Sequence, residues 1–208
     1  MLEQATYKIR IFYRKQGRLA LLSHLEVARA LERSIRRAKL PYAISQGFSP
    51  HMKIAYGSAL PVGVGGLREC FDLSLIRYIP PQDVIEALRN SCVNDLMVFE
   101  GDYIGKREET PSVAFPISTY RVELSCPLPF EITIPETVGV VRKKKEKHLH
   151  VRDFLLGDIV SNGSIAEFSL IAKPTGSLRP DRFIDAVFKN CEKVEILSLT
   201  RINQRRLP

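Results

Sequence analysis

The sequence has no tryptophan, and its four cysteines, Cys70, Cys92, Cys126 and Cys191, stand far apart. It contains no C-x-x-C pair and no Cys/His knuckle, which argues against a zinc site or an iron–sulfur cluster and leaves buried, reduced thiols. No run approaches the roughly 18 apolar residues that a membrane-spanning helix needs. The first residues, M-L-E-Q-A-T, hold no apolar h-region, so no signal peptide is expected and the cytoplasm is the expected compartment. The Gly-rich stretch Pro61-Val62-Gly63-Val64-Gly65-Gly66 lacks P-loop spacing, and no Gly-Lys-Ser/Thr follows it, so a nucleotide phosphate site there is not expected. No internal sequence repeat is evident.

The chain has 208 residues, enough for one large domain or two small ones. Its net charge of +8 is unevenly spread. Residues 1–40 carry ten Lys/Arg against three Asp/Glu, whereas residues 68–138 carry six against twelve. Residues 139–152 are basic again, with six Lys/Arg against Glu146. Such segregation points to a polyanion partner, nucleic acid before membrane, with solubility charge as the plain alternative.

Hydrophobic periodicity divides the chain into elements. Tyr7, Ile9, Ile11 and Tyr13 alternate with Lys8, Arg10, Phe12 and Arg14, a half-buried strand with a basic outer face. Ser23-His24-Leu25-Glu26 is a capping box that opens a helix to about Lys39, where Leu40-Pro41 stops it. Leu25, Ala28, Leu31 and Ile35 are its expected apolar stripe, with Arg29, Arg33, Arg36 and Arg37 opposite. A short strand over Pro41–Ser45, a turn at 46–50, a strand over His51–Leu60 and a Gly-rich loop at 61–66 follow. Next come a strand over Cys70–Ile76 with Asp72 facing outward, a helix over Gln82–Ser91 and a strand over Leu96–Ile104. Residues 1–104 thus read as one ferredoxin-like unit, an antiparallel sheet with two helices on one face. Residues 105–118, polar with two prolines, read as a linker. Residues 119–208 read as a degenerate second unit. Its expected strands are Tyr120–Cys126, Phe130–Ile134, Ile165–Ala172 and Val194–Ile202. Val151–Ile159 fits a strand or a short helix, and a helix starts at Arg179-Pro180-Asp181. A basic loop over 139–150 takes the place of the first helix. The expected class is α+β, built from tandem ferredoxin-like units.

The densest polar constellation is S-H-L-E at 23–26 with S-Q-G-F-S-P-H at 45–51. Ser23, His24, Ser45, Gln46, Ser49, His51 and Lys53 are candidate pocket residues. His24 and His51, if neighbours, have the chemistry of a general acid–base pair for RNA cleavage. Capping by Ser23 and turn geometry at Gly47 and Pro50 explain much of the same pattern without any chemistry. Arg29, Arg33, Arg36 and Arg37, with Arg142, Lys143, Lys144 and Lys145, are candidate phosphate contacts, because arginine favours planar bidentate pairing. Phe48 reads as a plug that seats its turn on the sheet, with base stacking as the alternative. His148-x-His150 is too short and isolated for a metal site.

Residues 17–54, G-R-L-A-L-L-S-H-L-E-V-A-R-A-L-E-R-S-I-R-R-A-K-L-P-Y-A-I-S-Q-G-F-S-P-H-M-K-I, resemble the bacterial radical-SAM-linked protein family, a domain of unknown function. The L-P-V-G at 60–63 and E-C-F-D-L at 69–73 also fit. Glu26, Ser49 and Met52 stand where that family usually has Asp, Asn and Pro. The resemblance implies a partner radical SAM protein, which would carry S-adenosylmethionine and an iron–sulfur cluster. This chain lacks the C-x-x-x-C-x-x-C motif and is expected to bind neither. The expected function is a non-catalytic accessory that binds structured RNA, tRNA or rRNA, for a modification enzyme, as a monomer or weak dimer. The tandem plan is also similar to RAMP-type CRISPR endonucleases, which gives a metal-independent endoribonuclease as the enzyme alternative. A third alternative is a protein-interaction module docking a basic partner on residues 68–138.

Overall fold

The computed structural model describes residues 6–127, 132–142, 145–189 and 194–207, with backbone alone at 141, 142, 145 and 146. The class is α+β, with mostly antiparallel strand pairing. No helix among the described residues is long and apolar enough to cross a membrane. The chain divides into two compact units, Met1–Phe115 and Pro116–Pro208.

In the first unit, β1 (Tyr7–Lys15) lies between β3 (Val64–Leu75) and β4 (Leu96–Tyr103), and β2 (Ile54–Tyr56) pairs with β3. The spatial order is β4-β1-β3-β2. Alternation sends Ile9, Ile11 and Tyr13 of β1 and Phe71, Leu73 and Leu75 of β3 into one core. Helices α1 (His24–Arg37) and α2 (Pro81–Ser91) close that core with Val27, Leu31 and Ile35, and with Val84, Ile85 and Leu88, so both cover the same sheet face. Lys39 ends α1 in the left-handed conformation, φ 53°, ahead of Leu40-Pro41. Gly101 lets α2 approach β4, since a Cβ there would lie 2.8 Å from Ile85 Cδ1 and 3.1 Å from the Arg10 carbonyl oxygen.

Several expectations change. The stripe of α1 is Val27, Ala28, Leu31, Ser34 and Ile35, and Leu25 is 67% exposed. Ser34 tolerates burial because its hydroxyl donates to the Ala30 carbonyl oxygen at 3.0 Å. Pro41–Ser45 forms only isolated bridges, Tyr42 to Leu75 and Ile44 to Met52, and β2 keeps three residues of the longer strand expected over 51–60. Val64, Gly65 and Gly66 belong to β3 rather than to a loop.

Asp72 does lie on the sheet face opposite the helices, yet it is buried, because residues 105–115 cover that face. Lys8 Nζ donates to the Glu108 carbonyl oxygen, Arg10 Nη2 to that of Glu109, and the short helix α3 (Pro111–Ala114) buries Pro111 and Ala114. Phe115 packs edge-on against Phe12, 6.4 Å between centroids. The expected linker is therefore mostly a packed strap, and its end already lies in β5 (Ile117–Leu124).

In the second unit, β5, β8 (Leu155–Asn162), β9 (Ile165–Ile171) and β10 (Ile196–Arg205) follow the order β10-β5-β9-β8. Helix α4 (Pro180–Val187) adds Phe183, which packs on Phe168, itself stacked on Tyr120. The expected basic loop is instead a hairpin, β6 (Thr137–Arg142) with β7 (Lys145–His150). Its β-branched Val138, Val140 and Val141 favour the extended chain. The strand expected over 130–134 is absent at 132–134, and 130 and 131 fall outside the described residues. Val151–Asp153 is a 3-10 turn that leads into β8, so both readings of that stretch hold in part.

Candidate functional site

The first site element is the start of α1. Ser23 N and Ser23 Oγ donate to Glu26 Oε2 at 2.8 and 2.7 Å, and Glu26 N donates back to Ser23 Oγ at 3.4 Å. These bonds hold the Glu26 carboxyl below its ordinary value of 4.5. The stabilisation from the ionised cap is complete above that ordinary value and disappears as pH falls through the depressed one. In a carboxyl NMR titration, Glu26 is expected to titrate below that ordinary value and to return towards it in Ser23→Ala. An unchanged Glu26 midpoint in Ser23→Ala would disprove the coupling.

Directly after the cap residue, His24 packs edge-on against Tyr56, 5.6 Å between centroids at 86°. It lines a cavity of about 10 Å³ with Tyr13, Lys15, Ser58 and Glu69, the lower limit for one water molecule. Lys15 is 2% exposed and Glu69 3%. Lys15 Nζ donates to the carbonyl oxygens of Leu22 and Val64 at 3.0 and 3.2 Å. The sequence reading missed this buried charged cluster. The signal was strand parity, since Lys15 follows Ile9, Ile11 and Tyr13 inward and Glu69 precedes Phe71 and Leu73.

The second element is the turn at 45–51. Ser45 Oγ accepts from His51 N and lies 3.0 Å from His51 Nδ1, which is also 3.1 Å from the Ser49 carbonyl oxygen. Ser45 N donates to the His51 carbonyl oxygen at 2.8 Å, and the Ile44–Met52 bridge closes the base. Gln46, Ser49 and His51 are exposed, and Lys53 is half-buried. Phe48 at the tip is fully exposed, so it does not plug the turn onto the sheet. His51 keeps its hydrogen bonds inside the turn and does not line the cavity of His24. The two histidines therefore occupy separate environments.

The four arginines of α1 are exposed, as expected from their spacing, but they are not equivalent. Arg36 pairs with Glu32 at 3.3 Å. Arg37 Nη2 donates to the Ser91 carbonyl oxygen at 2.6 Å and to Ser34 Oγ at 3.3 Å, which ties α1 to the end of α2. Among the described residues, Arg29 and Arg33 form no ion pair within 4.0 Å. The side chains of Arg142 and Lys145, and all of Lys143 and Lys144, lie outside the described residues. No group of three or more His, Cys, Asp or Glu side chains suited to a metal occurs among the described residues. The acidic stretch 68–138 is partly consumed internally, since Glu69 and Asp72 are buried and Glu100 pairs with Arg68.

Residues 8–180 match the model of a family described as an uncharacterized protein conserved in bacteria, DUF2344. The chain belongs to this family. The DUF2344 match contains every candidate residue, from Ser23 through Lys145. No curated protein matches the chain.

Proposed function

We propose that this DUF2344 protein is a non-catalytic, cytoplasmic accessory that binds structured RNA for a radical SAM modification enzyme. The observation that carries the RNA reading is Phe48, a fully exposed aromatic ring at the tip of a turn braced by the Ser45–His51 hydrogen bonds. A ring held out by a braced turn offers an open π-face on which a base can stack. Gln46, Ser49 and His51 around it supply donors and acceptors for base edges, and Arg29 and Arg33 supply cations for phosphates. The order β4-β1-β3-β2, with α1 and α2 on one face, supports a ferredoxin-like first unit. The partner is proposed from the likeness of residues 17–54 to the radical-SAM-linked family, and that partner would carry S-adenosylmethionine and the cluster.

Binding to a bulk tRNA fraction, followed by anisotropy, tests the reading. Phe48→Ala is expected to weaken binding about tenfold. Arg29→Ala with Arg33→Ala is expected to shrink the salt slope by about 0.7–0.9 per lost phosphate contact. Unchanged affinity in both variants counts against RNA binding at this surface. RNA incubated with the protein in EDTA should stay intact. Site-specific cuts that vanish in His51→Ala would replace this reading with the RAMP-like endoribonuclease.

A further inference from the structure

Three segments distant in sequence bring a tyrosine each to one end of the first unit's sheet. Tyr7 opens β1, Tyr103 closes β4, and Tyr78 lies in the connection between β3 and α2. Tyr78 stacks on Tyr103, 5.1 Å between centroids at 30°. Tyr7 meets both rings edge-on, at 6.0 and 6.2 Å. Tyr103 is anchored, since its hydroxyl donates to the Ile79 carbonyl oxygen at 2.8 Å and accepts from Ile79 N at 3.2 Å. The anchored ring fixes the stacked one, and Tyr78 remains 56% exposed.

Cations accompany each ring along the chain. Arg77 precedes Tyr78, and Lys106 and Arg107 follow Tyr103 in a turn held beside β1, where Ile104 N donates to the Lys8 carbonyl oxygen. Lys8 itself is engaged with Asp72 and the Glu108 carbonyl oxygen. Arg77, Lys106 and Arg107 are exposed and, among the described residues, form no ion pair. The nearby Asp102 accepts from Tyr103 N. A rigid aromatic step whose rings are flanked in sequence by exposed cations that form no ion pair among the described residues is complementary to a ligand that alternates flat rings with anions.

We propose that the Tyr7–Tyr78–Tyr103 end of the sheet is a binding site for unpaired single-stranded RNA, with a base stacked on Tyr78 and phosphates on Arg77, Lys106 and Arg107. The proposal rests on the RNA-binding reading for its ligand class but uses none of the residues of α1 or the Phe48 turn. A duplex hides its base faces, so only an unpaired strand can use the outer face of Tyr78.

The test uses the full chain and a fluorescein-labelled twelve-residue oligouridylate, with a fully paired RNA duplex as control. Tyr78→Ala is expected to weaken oligouridylate binding about tenfold, while Tyr78→Phe retains it and duplex binding does not change. Arg77→Ala with Arg107→Ala is expected to reduce the salt slope by about 0.7 for each cation removed. Wild-type affinity in Tyr78→Ala, no oligouridylate binding by the wild type, or binding only to a proline-rich peptide would each overturn the proposal. The two sites are told apart by crossing the probes. Oligouridylate binding that depends on Tyr78 without tRNA binding that depends on Phe48 keeps this site and removes the accessory reading. The converse keeps that reading and removes this site.

Discussion

Asp72→Ala is expected to destabilise the first unit by about 3–5 kcal/mol. Arg10 Nε donates to Asp72 Oδ1 at 2.7 Å and Arg10 Nη2 to Asp72 Oδ2 at 3.0 Å. Both side chains are almost fully buried, at 5% and 2% exposure. Burial works against the Arg10 charge, yet the hydrogen bonds and charge of Asp72 outweigh it and raise the guanidinium above its ordinary value. Removing the carboxylate leaves a cation under Phe115, whose ring lies 5.2 Å away, with the Glu109 carbonyl oxygen as its hydrogen-bond acceptor. The cost is that of stranding the Arg10 guanidinium and of taking from Lys8 Nζ the carboxylate 3.6 Å away, not the net worth of the pair. Arg10→Met with Asp72→Leu should therefore recover most of the loss. Urea unfolding followed by amide exchange of β1 and β3 reads the effect within this unit. A loss below about 1 kcal/mol in Asp72→Ala would show that the strap yields and lets water reach Arg10.

The strap also shows where sequence stops informing. Residues 105–118 look like a linker because Lys106, Arg107, Glu108 and Glu109 dominate their composition. Besides the buried Pro111 and Ala114 and the Phe115 ring on Phe12, two backbone carbonyls accept from Lys8 and Arg10, about a hundred residues earlier, and the strap's own composition does not encode that. The capping box at Ser23–Glu26 was legible because it is complete within four residues. The α1 arginine face was legible from helical spacing, but the capture of Arg37 by Ser91, 54 residues away, was not. Phe48 was misjudged because most apolar rings in turns find cover, and whether one does depends on residues outside the turn. The valines of β6 were visible, but the adjoining basic run masked their strand pattern.

Lys15→Met is expected to destabilise the first unit by about 2–4 kcal/mol, because two carbonyl acceptors lose a charged donor. Lys15 and Glu69 are buried charges of opposite sign lining one small cavity, at the end of the core where β1, β3 and α1 meet. The ammonium also donates to the carbonyl oxygens of Leu22 and Val64. Leu22 directly precedes the cap residue Ser23, and Val64 is the first residue of β3. One cation thus fixes the chain entering the helix and the chain entering the central strand. Methionine fills similar volume but donates nothing, so two buried carbonyls lose a donor. The same variant should speed amide exchange in the first turn of α1, because the clamp on Leu22 is gone. Since Arg29 lies about one turn beyond the first turn's start, RNA affinity should fall in Lys15→Met although Lys15 is almost fully buried. A stable Lys15→Met protein with unchanged first-turn exchange would show that the capping box alone holds the start of α1, and that the buried cluster does not support the proposed RNA surface.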